Sequence, residues 1–334
     1  AMSYGGALSK NTKIALAKGA SKIGTATNTG ESGLMEEERE AASLLIGQYN
    51  RGGWLNEPEK YKRLDAIEIQ LGQGAQGSSP QRTSRLTGVD TTAQFIELVK
   101  KLKEETGVPV GIKIAATHHL EKEMQIALEA GVDFITIDGA EGGTHAAAPI
   151  LEDDLGLPTI YAISRATKFL AKKGATNDVS LIATGGLVTP GDYLKALALG
   201  ANALYTGTIA IMALIGEQTT KTLPFEPPTG LAIYNAKATE KLDVEQGANR
   251  LFNYLNAATQ EMALVCYSLG KTNLSDISID DLCTLDPFLS RALGIELGYV
   301  SPDEQNNYFE GFTDLPLHEM ARQNKSDQST EQLH

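Results

Sequence analysis

Residues 181–210 read LIATGGLVTPGDYLKALALGANALYTGTIA. The apolar run Leu181-Ile182-Ala183 ends on Thr184-Gly185-Gly186. A helical pattern follows from Pro190 to Leu199, with Asp192 in its first turn, and Gly200 stops it. A second apolar run, Ala201 to Tyr205, ends on Thr206-Gly207-Thr208, where another helix begins. The chain thus repeats one strand–glycine–helix unit. Each unit sets bare backbone N–H groups beside a helix N-terminus, where the dipole and the unpaired donors favour an anion. Two such units late in a β/α series are the phosphate site expected after strands seven and eight of a TIM barrel. Tight turns alone would explain one unit; two in tandem at barrel spacing favour phosphate.

The same alternation extends upstream. Val110 to Ala115 reads as a strand carrying Lys113, and Leu120 to Ala130 as a helix ended by Gly131. Val132 to Ile137 is a strand that runs into Asp138-Gly139-Ala140-Glu141-Gly142-Gly143-Thr144, and Thr159 to Lys172 is a helix ended by Gly174. Nearer the start, a helix over Ser9–Gly19 precedes a short strand over Ile23–Thr27, and a helix over Glu36–Leu45 precedes a strand over Ile46–Arg51. A short helix over Pro58–Leu64 leads to the strand Ala66–Leu71, which ends in Gly72-Gln73-Gly74. Thr91–Thr106 is amphipathic, with Phe95, Leu98, Val99 and Leu102 on one face. Apolar strands alternating with helices imply parallel pairing through right-handed crossovers. A doubly wound sheet is the alternative. The barrel is preferred because polar or glycine-rich clusters follow nearly every strand rather than one switch point.

Downstream the pattern changes. Residues 223–229 are rich in proline, Glu245–Leu269 is one long helix, and Ser278–Leu282 starts a short helical element. The expected organisation is a barrel over 1–215, a C-terminal helical extension over 216–300 packed on it, and a polar, disordered tail over 301–334. The net charge of −13 leaves no basic stripe, which argues against nucleic acid and anionic membranes as partners. No apolar run reaches the length of a membrane helix. The two cysteines, Cys266 and Cys283, sit in no ligand spacing and are expected to be reduced and structural, in a cytoplasmic protein.

A lysine inside an apolar strand faces solvent or a functional cavity, and Lys113 at a strand's carboxyl end points to the barrel mouth. There it is a salt-bridge partner or a fixed cation beside a delocalised anion. Gln73, flanked by glycines, can present an amide to a planar ligand, or simply hold a turn. Glu31, in the loop Asn28–Gly33, and Glu141 stand at the same rim, where a carboxylate orients an amine. His118, His119 and His145 are the histidines near strand ends, as acid–base groups or as helix-start devices. Asp153-Asp154 is expected to bias the charge at a helix start rather than hold a metal.

With these residues in place, the chain resembles the FMN-binding synthase domain of glutamate synthases. The matching stretches are AMSYGGALSKN, TNTGESG, IEIQLGQGAQG, VGIKIAA, FITIDGAEGGTHAAAP, GLPTIYAISRA, LIATGGLVTPGDYLKALALGAN and YTGTIA, in that order. The resemblance implies FMN at the mouth of a TIM barrel. It implies that Met2 and Ser3 touch the flavin ring, together with Gln73 and Lys113. Gly142 and Gly143 join the cofactor site, and Gly185, Gly186, Gly207 and Thr208 hold the phosphate. Lys113 and Glu31 would be the catalytic pair, and Gln48, Arg51 and Arg82 would bind substrate. It also implies that the first barrel strand is missing or truncated here.

Two departures from the pattern shape the functional expectation. Glutamate synthases carry three cysteines after the last barrel helix for a 3Fe–4S cluster, and here GEQTTKTLPFEPPTGLAIYN carries none, so no cluster is expected. The segment after Gln76, GSSPQRTSRL, is shorter and contributes Arg82 and Arg85. The reading is an FMN-dependent oxidoreductase that moves a hydride between flavin and an amino, imino or 2-oxo acid, with a partner polypeptide or redox subunit for electrons. The alternatives are a flavin-dependent isomerase and a non-catalytic flavin-binding subunit.

Overall fold

The computed structural model describes residues 2–74, 77–78, 89–143, 148–222 and 227–299. Arg82, Arg85, His145 and the tail expected at 301–334 lie outside them.

The strands follow one another around the sheet in chain order. They are β1 (Thr27–Asn28), β2 (Leu45–Tyr49) and β3 (Ala66–Gln70), then, past a hairpin of β4 (Gly72–Gln73) and β5 (Gly77–Ser78), β6 (Val110–Ala115), β7 (Phe134–Asp138), β8 (Ser180–Thr184) and β9 (Ala203–Leu204). The seven-stranded sheet has the order β1-β2-β3-β6-β7-β8-β9, and every pairing in it is parallel. A doubly wound sheet reverses direction at a switch point; this one does not, so it is the curled wall of a barrel. All residues of β6 and β7 are buried. Burial on both faces is why these strands read as continuous apolar runs.

The helices form the outer layer. They are α1 (Lys10–Ile23), α2 (Glu36–Ala41), α3 (Pro58–Tyr61), α4 (Thr92–Thr106), α5 (Leu120–Glu129), α6 (Pro149–Asp154), α7 (Thr159–Lys173), α8 (Pro190–Ala198), α9 (Thr208–Ile215) and α10 (Val244–Ser268). A capping box of Thr91 and Gln94 starts α4, and its buried Phe95, Val99 and Leu102 recur at helical spacing. Gly174, in the left-handed region at φ 68°, ends α7.

One compact unit runs from Ala1 to Leu282, so the boundary expected near 215 falls inside it. Helix α10 is the reason: it lies along α1 and α9 and closes the helical layer. A Cβ on Gly19 of α1 would come within 2.8 Å of Leu251 Cδ2 on α10, so glycine permits this close approach. Cys266 packs from α10 onto Leu194, Ala198 and Ile277. Cys283 is exposed, so the packing role expected of both cysteines applies to Cys266 alone. The other compact unit, Cys283–His334, contains α11 (Pro287–Leu293) and the parallel pair β10 (Cys283–Thr284) and β11 (Glu296–Leu297).

Strands β1 and β9 are the sheet's two edges. A cavity of ≈ 270 Å³ is lined by residues from both, with Leu16 and Ala20 of α1 and Leu251 and Leu255 of α10.

Candidate functional site

A second cavity, of ≈ 170 Å³, opens at the carboxyl ends of the strands. Met2, Gln73, Lys113, Gly142, Gly143, Gly185, Gly186, Gly207 and Thr208 all line it. These are all the cofactor positions named from sequence except Ser3. Elements far apart in sequence bring them together: the segment before α1, the β4–β5 hairpin, and the ends of β6, β7, β8 and β9.

One end of the cavity is suited to an anion. Helix α9 starts at Gly207 with no side-chain cap and no acidic residue in its first turn. Among the described residues, none accepts from the N–H of Thr208 or Ile209, nor from that of Gly185 or Gly186. Gly185 and Gly186 have φ of 112° and 66°, which turn their amides out of the strand direction. The two sequence units are not equivalent, however. Thr189 and Asp192 form a capping box on α8, so the amides of both are taken at that helix N-terminus and a carboxylate is already in place. Of the two units, the second offers the uncapped helix N-terminus, at α9, and the first contributes its glycine turn.

The other end carries charge. Lys113 Nζ lies 3.0 Å from Asp138 Oδ2, and both residues are 4% exposed. They stand near the ends of neighbouring strands, where Lys113 is level with Thr136 and Ala115 with Asp138. Burial works to lower the lysine's pKa, but the charges of Asp138 and Glu68 outweigh it and hold the pKa above its ordinary value. Asp138 in turn depends on Gly142: a Cβ there would fall 2.0 Å from Asp138 Oδ1. Asp138 is a site residue that sequence reasoning missed. The signal was available, because a buried lysine needs a counter-charge and FITID on the next strand contains one acid.

Beneath the cavity, the barrel interior holds a polar layer centred on Glu68, which is fully buried. Its Oε1 accepts from Gln48 Nε2 at 2.7 Å and Asn28 Nδ2 at 3.2 Å, and its Oε2 from Thr136 Oγ1 at 2.8 Å. The Tyr205 hydroxyl is buried near this carboxylate without an aligned hydrogen bond. Burial and the Glu68 charge push its ionisation far above that of a free phenol.

Two of the expected substrate residues, Gln48 and Arg51, do not line the cavity. Gln48 is inside, held by Glu68. Arg51 is 1% exposed and pairs with Glu31 Oε2 at 3.3 Å, and Gln70 Nε2 donates to the same oxygen at 3.2 Å. A guanidinium this buried requires a counter-charge, so Glu31 is engaged as a structural partner and does not line the cavity. His118 and His119 are exposed with ring centroids 3.8 Å apart and planes tilted by 42°, and the neighbouring His118 charge lowers the pKa of His119. Asp153 and Asp154 end α6 rather than start α7. The α7 N-terminus takes Glu141 instead, whose Oε2 accepts from Thr159 N at 2.8 Å and Thr159 Oγ1 at 2.7 Å. Glu141→Ala is therefore expected to cost about 1 kcal/mol, the usual worth of an N-cap, read as a lower urea midpoint. No group of His, Cys, Asp and Glu among the described residues could hold a metal, and no described helix is long and apolar enough to cross a membrane.

A family model described as the conserved region in glutamate synthase matches residues 1–89 and 76–272. The archaeal-type glutamate synthase [NADPH] of Thermotoga maritima is 33% identical over 296 residues, which cover 81% of this chain and 58% of that protein. The archaeal glutamate synthase [NADPH] of Methanocaldococcus jannaschii is 32% identical over 305 residues, 83% of this chain and 59% of that protein. The chain thus spans under two thirds of the length of these relatives. A glutamate synthase large subunit-like protein of Rhizobium meliloti is 30% identical over 327 residues, 85% and 73% of the two chains. Among solved structures, a flavocytochrome b2 mutant with benzoylformate aligns with a TM-score of 0.52 at 18% identity, over 91% of this chain and 71% of that one. A mandelate oxidase mutant with benzaldehyde aligns with a TM-score of 0.51 at 18% identity, over 79% and 71%. At this identity the likeness is one of fold.

Proposed function

The chain belongs to the glutamate synthase family, and we propose that it is an FMN-dependent oxidoreductase acting on an amino, imino or 2-oxo acid. One observation carries the reading: the amides of Gly185, Gly186, Thr208 and Ile209, which find no acceptor among the described residues, share a cavity with buried, protonated Lys113. That is the donor set a phosphate needs at one end and the cation a flavin ring needs at the other. The glycines at 142 and 186 fit this use, since a Cβ at either would meet Asp138 or Glu141 and close the cradle.

FMN bound there would supply hydride acceptance and return. The chain's own residues do the rest. The amides of Thr208, Ile209, Gly185 and Gly186 bind the phosphate, which the α9 dipole favours. Gln73 orients the ring through its side-chain amide. Lys113 keeps its proton at Nζ and so holds positive charge at the cavity wall, while Asp138 fixes its position. The names of the relatives support the substrate class. No iron–sulfur cluster enters the reading, because residues 216–235 hold no cysteine to ligate one. Electrons then come from the substrate itself or from a separate redox subunit.

Purified protein titrated with FMN tests the reading. Quenching of flavin fluorescence to a one-to-one endpoint is expected, followed by anaerobic bleaching on adding glutamate or a related amino acid. A chain that leaves FMN fluorescence unchanged is not a flavoprotein.

A further inference from the structure

Lys13 belongs to α1, outside the cavity, and nothing in the reaction uses it, yet it is 1% exposed. Its Nζ donates to Met2 O at 2.8 Å, Asn28 O at 2.8 Å and Thr29 O at 3.3 Å. Three carbonyls thus converge on one ammonium, a group with donors and no acceptor. Its charge is matched separately by Glu38 Oε1 at 2.8 Å, on α2 and fully buried. That carboxylate balances the charge, and no other described group is hydrogen-bonded to it. A buried ion pair is costly to keep, and an apolar pair of similar volume often serves a core as well. The placement of those donors therefore calls for an explanation.

We infer that Lys13 is the positioning residue that fixes Met2, and with it the Met2–Ser3 backbone, against the end of β1 at the wall of the cavity. Met2 is the one of its three acceptors that also lines the cavity. The local fit is tight. A Cβ on Gly30, at φ 66°, would come within 2.6 Å of both Met2 C and Ser3 N, so the segment crosses directly over that glycine. On its other side, the Met2 sulfur is 4.0 Å from a Cβ built on Gly207, the residue that opens α9. Met2 thus spans from the end of β1 to the start of the anion site. Ser3 is tied further on, through its carbonyl, to the amides of Ala7 and Leu8. The Met2 side chain packs against the apolar core around Leu16 and Ala210, and among the described residues the Lys13 bond is the hydrogen bond that ties its backbone to the barrel. The inference rests on the flavin reading for its consequence, and on the hydrogen bonds alone for its geometry.

The test replaces both charges so that neither is left buried alone: Lys13→Met with Glu38→Leu. Hydrogen exchange of the FMN-free protein is measured across residues 3–8, with α4 as internal reference. Loss of a charged hydrogen bond is expected to speed exchange in that segment about tenfold or more and to leave α4 unchanged. FMN affinity is expected to fall about 10- to 100-fold. Unchanged exchange at residues 3–8 overturns the positioning role. Faster exchange with unchanged affinity overturns its link to the flavin. If the parent chain itself binds no FMN, the flavin reading fails, while the exchange comparison still decides the geometry. Should the apolar pair not fold, Lys13→Gln with Glu38→Gln keeps a hydrogen-bonding pair without charge and is read by the same exchange measurement.

Discussion

Gly186→Val is expected to abolish measurable FMN binding while the barrel stays folded. Gly186 sits at φ 66°, where a β-branched residue is strained from the outset. Its Cβ would fall 2.7 Å from Glu141 Cβ and 3.4 Å from Cγ. Glu141 cannot swing aside cheaply, because its carboxylate holds Thr159 N and Oγ1 at the start of α7. The glycine turn must therefore move, and the amides of Gly185 and Gly186 leave the anion site with it. Losing two hydrogen bonds to a charged group costs about 3–6 kcal/mol, which raises Kd at least about 100-fold. Flavin fluorescence titration gives the Kd, and thermal melting of the FMN-free variant separates this effect from unfolding. Gly191→Ala is the control: its Cβ would meet only Thr189 Oγ1, at 3.7 Å, and both readouts should match the parent. A valine variant that binds FMN like the parent would move the phosphate away from the β8 turn.

The sequence made the parallel alternation and the glycine-marked cavity wall legible because both follow from local rules. A strand that must be buried on both faces is apolar throughout, and a backbone that must turn toward a ligand is glycine. Lys113 stood out for the same reason, as a charge that an apolar strand would otherwise exclude. What was not legible depended on which side chain meets which. Glu31 read as a rim residue by position, and Gln48 and Arg51 as substrate residues by resemblance, but Glu68 holds Gln48, and Arg51 and Glu31 hold each other. The anion site was overcounted in a different way. Thr189 and Asp192 are a capping box visible in the sequence, and a helix so capped has few amides left for a ligand. The place of α10 was hidden by the proline-rich stretch before it. The small residue at Gly19, which lets α1 and α10 meet, has meaning only once the two helices are known to be neighbours.

Lys113→Met is expected to destabilise the protein by about 3–5 kcal/mol, the usual cost of removing one partner of a buried ion pair. The penalty falls on Asp138, which is 4% exposed and would be left as a buried charge without its partner. The lysine's side of the pair should be insensitive to pH near neutrality. Its folded pKa is raised above the unfolded value, so its contribution is fully present below the unfolded pKa and is lost only as pH climbs through the folded one, in strongly alkaline solution. Adding Asp138→Asn to Lys113→Met removes the stranded charge and should return most of the lost stability in urea melts. It cannot return the cation. The double variant is therefore the informative protein: folded, with the glycine turn and the α9 amides intact, and neutral where the parent is charged. Its FMN Kd should change far less than its rate of anaerobic flavin reduction by the amino-acid substrate, which should fall with the loss of Lys113 however well the fold recovers. A double variant that reduces flavin at the parent's rate would reduce Lys113 to the structural salt-bridge partner that its burial, taken alone, already explains.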